Sequence, residues 1–223
     1  MARKTKEEAQ ATRDRILDTA EQVFSERGVA RTSLADIADA AGVTRGAIYW
    51  HFRNKGDLFA GLLDRVALPM EEMVARAADE ATEDPLDSIR ACCIYVLRRT
   101  VRDARCRRVF EILAHKCEYV DEMHTLVARH MQCRLQGIGM IERALRNAMR
   151  KGQLPRHLPA RRAAVGLHAY VDGLIYNWLL DPRSFALDKD ADALVDQYLL
   201  GLKSVPPPKR AASSARGRRV VAA

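Results

Sequence analysis

Between residues 33 and 57 three helix starts follow one another about ten residues apart: Ser33 ahead of Asp36, Thr44 ahead of "RGAIYWHF", and Asn54 ahead of Asp57. A hydroxyl or amide side chain at such a place accepts a hydrogen bond from an otherwise unpaired amide of the first helical turn, and an acidic residue three places on can return the bond. The first of these helices, "LADIADA", turns Leu34, Ile37, Ala38 and Ala41 inward and stops at Gly42. It has room for only about two turns before the next cap at Thr44. Two short helices joined by a tight turn with a glycine form a helix-turn-helix, and the third cap opens a long helix carrying Leu58, Phe59, Leu62, Leu63 and Val66 on its inner side. A preceding helix from about Lys6 to Arg27, with Ile16, Ala20, Val23 and Phe24 as its apolar stripe and Gly28 as its stop, completes a small helical head. Pro69 is expected to bend or end the long helix.

The second short helix has no purely apolar face. Ala47, Ile48 and Phe52 can anchor it, which turns Thr44, Arg45, Tyr49, Trp50 and His51 outward or sideways. Exposed aromatics beside basic and hydroxyl groups fit a major groove, where hydroxyls and cations meet phosphates and rings meet sugars and thymine methyls. Gly46 lets the backbone come close to the DNA, and Lys55 places a cation beside the first amides of the long helix. The competing reading is that Tyr49 and Trp50 cap the core of the three-helix head and that Arg45 is merely solvated.

The rest of the chain has the same helical period. Apolar residues recur at three and four positions, and 223 residues hold only 8 Pro and 12 Gly, so the fold class is all-α. Beyond Pro85, helices are expected near 86–102, 105–117, 121–151, 160–181 and 188–203. One stripe holds Gly166, Tyr170, Gly173 and Asn177, small enough for close helix approach, and another holds Ala191, Leu194, Val195, Tyr198, Leu199 and Leu202. Two adjacent stripes of this kind read as half of a four-helix interface in a homodimer. Asp172 stands among Val171, Leu174, Ile175 and Leu179, where a lone carboxylate is costly. It either pairs with His168 one turn earlier or faces a ligand cavity and attracts cationic compounds.

The net charge of +8 is concentrated at one end. Residues 203–223 hold six basic and no acidic residues, so 204–223 reads as a basic disordered tail. The odd count of five cysteines and the lack of an N-terminal apolar segment point to reduced thiols in a cytoplasmic protein. No metal is expected, because His115 and Cys117 are two apart and His124 and His130 six apart, spacings that do not converge on one helix face. The apolar run at 163–180 contains His168, Asp172 and Asn177, which argues against a membrane span. No Gly-rich phosphate loop or "GxSxG" elbow is present, so neither a catalytic residue nor a cofactor is expected; the rival to a DNA-binding function is a helical protein-binding adaptor.

The stretch "TRDRILDTAEQVFSERGVARTSLADIADAAGVTRGAIYWHFRNKGDLFAGLLD", with its core "GVTRGAIYWHF.NK..L", resembles the tetracycline-repressor (TetR) family of bacterial transcription regulators. "EILAHKCEY" and "YVDGLIYNWLLDPRSFALDKDA" extend the resemblance to the branch that represses multidrug-efflux pumps, typified by the acriflavine-resistance repressor, from residue 1 to about 203. The resemblance implies a three-helix DNA-binding head over 1–55 and a six-helix ligand-binding and dimerisation body over 56–203. It also implies a palindromic double-stranded operator and a small-molecule inducer as partners. It places backbone contacts to DNA on Thr32, Ser33, Thr44, Tyr49, His51 and Lys55, and a cavity among Val66, Val96, Phe110, Ile141 and Tyr176, the one Asp172 would face in the second of its two readings. In several drug-binding relatives the positions of Phe110, Ala114 and Tyr176 hold asparagine, histidine and arginine, so this pocket is expected to be more apolar there.

Overall fold

The computed structural model describes residues 6–116 and 124–206; the expected basic tail lies almost wholly outside them, as does Cys117. The described residues form nine helices and no strand: α1 Lys6–Arg27, α2 Leu34–Ala40, α3 Arg45–His51, α4 Lys55–Ala78, α5 Pro85–Arg102, α6 Ala104–His115, α7 His124–Arg150, α8 Ala160–Leu180 and α9 Leu187–Lys203.

The caps act where the spacing put them. Ser33 and Asp36 form a reciprocal box, the Asp36 amide donating to Ser33 Oγ at 3.1 Å and the Ser33 amide to Asp36 Oδ2 at 2.8 Å. Thr44 accepts from the Ala47 amide and Asn54 from the Asp57 amide. Gly28 and Gly42 sit at φ +81° and +61°, backbone that residues with a Cβ rarely adopt, and they turn the chain out of α1 and α2. Of the two outcomes expected at Pro69, the helix does not end there: α4 runs through it to Ala78. Proline removes one amide from the ladder, the one that would reach the Arg65 carbonyl; at the next carbonyl, that of Val66, Arg99 Nη1 donates at 3.3 Å.

Two hydrophobic cores result. The head core joins Ile16, Phe24, Ile37, Ile48 and Phe52 to Phe59 and Leu62 of α4, and it also takes in Cys106, Val109 and Ile112 of α6. The body core gathers α5, α7, α8 and α9 around Leu97, Leu145, Leu167, Trp178 and Val195. Phe110, on α6, packs against both. Helix α6 is therefore shared between head and body.

Candidate nucleic-acid interface and ligand-responsive body

The α3 helix is held by few side chains. Ile48 and Phe52 are buried, and the Thr44 cap fixes the first turn. Everything else the sequence singled out there is on the surface: Thr44, Arg45 and Gly46 are exposed, Tyr49 is 55% and Trp50 73% exposed, and His51 is half-buried with its ring edge-on to Trp50 at 4.5 Å. Tyr49 and Trp50 thus do not cap the head core. A Cβ added at Gly46 would meet nothing closer than Thr44 Oγ1 at 4.0 Å, so this chain's own packing does not require glycine there.

Three further positions have duties within the head. Thr32 is 2% exposed and donates its hydroxyl to the Gly28 carbonyl at 2.8 Å, so it holds the turn after α1 and is not presented to a phosphate. The Ser33 hydroxyl is exposed but engaged with Asp36, and its bonds hold the Asp36 carboxyl below its ordinary pKa. Lys55 directs its ammonium to the Val29 and Ala30 carbonyls, at 3.2 and 3.1 Å, and so ties the α1–α2 turn to the start of α4.

The body departs further from the sequence expectations. Asp172 is not enclosed among Val171, Leu174 and Ile175; its side chain is 60% exposed on the outer face of α8. Its Oδ2 lies 2.8 Å from His168 Nδ1, an ion-pair distance whose geometry does not make a hydrogen bond, and His130 of α7 stands close enough to sense both groups. Burial holds the His130 pKa below its ordinary value, against the opposing pull of the Asp172 carboxylate. Val66 is absorbed by the head core. Val96, Phe110 and Ile141 remain partly buried against the body core, while Tyr176 is 46% exposed with its ring 5.1 Å from that of His115. A cleft of about 540 Å³ opens elsewhere, along α5 at Tyr95, Arg98 and Arg102 beside Asp192.

The expected dimer stripes are divided between the chain's own packing and its surface. Ala191, Val195, Leu199 and Leu202 are buried in their own chain. Tyr198 stacks on Tyr170 at 4.8 Å, and Tyr170 donates to the Leu194 carbonyl at 3.0 Å. Gly166 makes room for Tyr198, whose hydroxyl would lie 2.5 Å from an added Cβ. Asn177 donates to the Gly173 carbonyl within α8. The apolar groups left outside are Val165, Tyr176 and Leu180 on α8 and Leu200 on α9, with open space beyond Gly173. Sequence periodicity had no means of ranking Leu200 against Leu199, because α9 is apolar on adjoining faces.

A short helix presenting uncovered aromatics from a capped helix-turn-helix is joined to a helical body of a recognisable kind. Residues 16–62 match the model of bacterial regulatory proteins of the tetR family, and residues 84–204 match the C-terminal region of MAATS-type transcriptional repressors. The chain belongs to the TetR family. It is therefore a transcription regulator and not an enzyme. The regulator TtgR of Pseudomonas putida is 48% identical over 92% of this chain and 98% of its own length. AcrR of Shigella flexneri is 44% identical over 90% and 95%. Among solved structures, NalD, the secondary repressor of the MexAB-OprM multidrug efflux pump in Pseudomonas aeruginosa, superimposes with a TM-score of 0.80 at 37% identity, covering 89% of this chain and 99% of NalD. The SmeT–triclosan complex gives 0.80 at 35%, covering 86% and 91%. TetR regulators bind operator DNA and small molecules and act as dimers. Among the described residues no helix is long and apolar enough to cross a membrane.

Proposed function

We propose that this regulator is a homodimeric, ligand-responsive repressor of a multidrug-efflux operon, acting in the cytoplasm. The observation that carries the DNA side is the bare α3 face: Tyr49 and Trp50 stand in solvent and Gly46 is not needed by the fold, so a partner outside the chain accounts for all three. In this reading Thr44, Arg45, Gly46, Tyr49, Trp50 and His51 meet the major groove, and Ser33 and Lys55 organise the backbone beside it. Two copies would place their α3 helices about one DNA turn apart, roughly 34 to 36 Å, on a palindrome.

Residues 1–55 carry DNA recognition in this proposal, and 56–203 carry ligand binding and dimerisation. The inducer is an apolar compound held near Val96, Phe110 and Ile141, of which Phe110 touches both cores. Asp172, outside and beside His168, does not select its charge in the described chain. Dimerisation uses the outer faces of α8 and α9, where Val165, Leu180 and Leu200 are uncovered. A ligand releases DNA only if it binds the DNA-incompetent arrangement more tightly.

The test is selection from random duplex DNA by the purified full chain at low salt. The expected result is enrichment of one palindrome, whose affinity then falls by roughly 5- to 150-fold on adding triclosan as probe, the usual range of coupling between sites. A chain that enriched no DNA would instead be a protein-binding adaptor.

A further inference from the structure

The junction of head and body is held by directional charge as well as by apolar contact. Glu21 of α1 is 2% exposed, yet it carries a carboxylate. From α6, Arg108 Nε donates to its Oε1 at 2.6 Å, and Arg105 Nε lies 3.4 Å from Oε2. Arg105 also donates to Asp18 at 2.9 Å, and Arg65 of α4 donates to the same Asp18 oxygen at 2.7 Å and to Asp14. At the far end of α6 the Val29 amide donates to the Lys116 carbonyl at 3.1 Å, and Lys116 Nζ donates to Ser25. The α1 helix is thus gripped along its length by α6 and α4.

These contacts do something the shared core cannot. Apolar packing is non-directional and tolerates sliding or rolling of one helix on another. Charge-assisted bonds to a buried carboxylate hold only one orientation, because a shift of a turn would leave Glu21 without partners. Since α1 carries the rest of the head on its apolar face, its angle on α6 fixes where α3 points.

We propose that Glu21 is a positioning residue for operator recognition. Gripped by Arg105 and Arg108, it sets the angle of the head on the body and hence the separation of the two recognition helices in the dimer. The proposal rests on the DNA-binding reading above. Because α6 also carries Phe110, which touches the body core, the grip lies on the path by which a ligand in the body would move the head.

The readout is spacing selectivity. The palindrome selected by the wild-type chain is remade with its half-sites moved apart or together by one and two base pairs. The wild type is expected to prefer one spacing by about tenfold or more, since each added pair shifts and rotates the second groove. Glu21→Gln, of equal size, and Arg105→Gln, at a half-exposed position, are expected to flatten that preference to within about threefold while each half-site keeps its sequence preference. Arg105→Lys, which keeps one charged bond, is expected to restore most of the selectivity. Loss of affinity with an unchanged spacing profile in folded variants would overturn the proposal, because a merely stabilising pair lowers binding at all spacings alike. Should Glu21→Gln fail to fold, the two Arg105 variants decide alone. A wild-type chain that selects no palindrome overturns the DNA reading itself, and this proposal with it.

Discussion

Two aromatic pairs on this chain have opposite fates. Tyr49 and Trp50 on α3 stand in solvent. Tyr170 and Tyr198 are stacked between α8 and α9, with one phenol hydrogen-bonded to a backbone carbonyl, and burial pushes both phenols above their ordinary pKa. The second pair works for the fold; the first leaves more than half of its surface uncovered. A residue that folding does not use is free to be tuned for a partner. A residue embedded in packing cannot be changed for a partner without loss of stability.

The sharpest way to break this contrast lies on α9, where neighbouring leucines have opposite surroundings. Leu199 is 5% exposed and Leu200 64%. Leu199→Arg would force a cation into the body core and is expected to cost about 3 to 5 kcal/mol, enough to unfold many domains. Leu200→Arg is expected to keep the helix content and to sediment as a monomer. Denaturant melts and sedimentation of both variants check this. An intact dimer of Leu200→Arg would move the interface off this face.

A smaller effect is expected in the head. Tyr49→Ala should lower operator affinity by about 1 to 3 kcal/mol and change stability by less than about 0.5 kcal/mol, as for an exposed residue outside any packing. Lys55→Ala should do both at once: its two charge-assisted bonds to Val29 and Ala30 give it a stability cost of about 1.5 to 3 kcal/mol per bond at most, discounted by its partial exposure. Paired melting and mobility-shift measurements separate the two. If Lys55→Ala weakened DNA binding with no loss of stability, its bonds to the α1–α2 turn would be inconsequential and its ammonium would belong to the DNA.

How much was legible follows the same division. The three caps, the glycine stops and nearly every helix were readable, because Ser33, Thr44 and Asn54 act locally and periodicity reports one buried face. The exposed α3 cluster was readable because aromatic and basic residues there exceeded what the short helix could bury. Asp172, Leu199 and Gly166 were legible only in part, for one reason. On helices with more than one apolar face, the sequence says that a face is buried but not by which neighbour. Here Tyr198 fills the space at Gly166, and Asp172 falls on the outer face. Pro69 left two outcomes open because whether a helix continues past a proline depends on packing by elements distant in sequence, here α5 and α7 against α4.

The smallest expected effect belongs to Ser33, which stands on the boundary between the two kinds of residue. Its hydroxyl is exposed near α3, as a phosphate contact should be, yet it is already bonded to Asp36. Ser33→Ala is expected to cost about 1 kcal/mol of stability at neutral pH, the usual value of an N-cap. Acid separates the roles. Bonds from Ser33 hold the Asp36 carboxyl below its ordinary pKa, so the box contributes stability above the unfolded carboxylate value and loses it as pH falls through the folded one. The penalty of Ser33→Ala should therefore shrink below about pH 4, where an unfolded aspartate takes up its proton. Melting curves of wild type and variant across pH 3 to 7 check this, and a penalty that stays constant into acid would remove Asp36 from the account. If the cap is the whole role of Ser33, Ser33→Asp, which keeps an acceptor for the first-turn amides, should recover most of the stability. The new negative charge should at the same time repel phosphate, so recovered folding with weakened DNA binding would place Ser33 beside the backbone, whereas unchanged DNA affinity would leave it a residue of the fold alone.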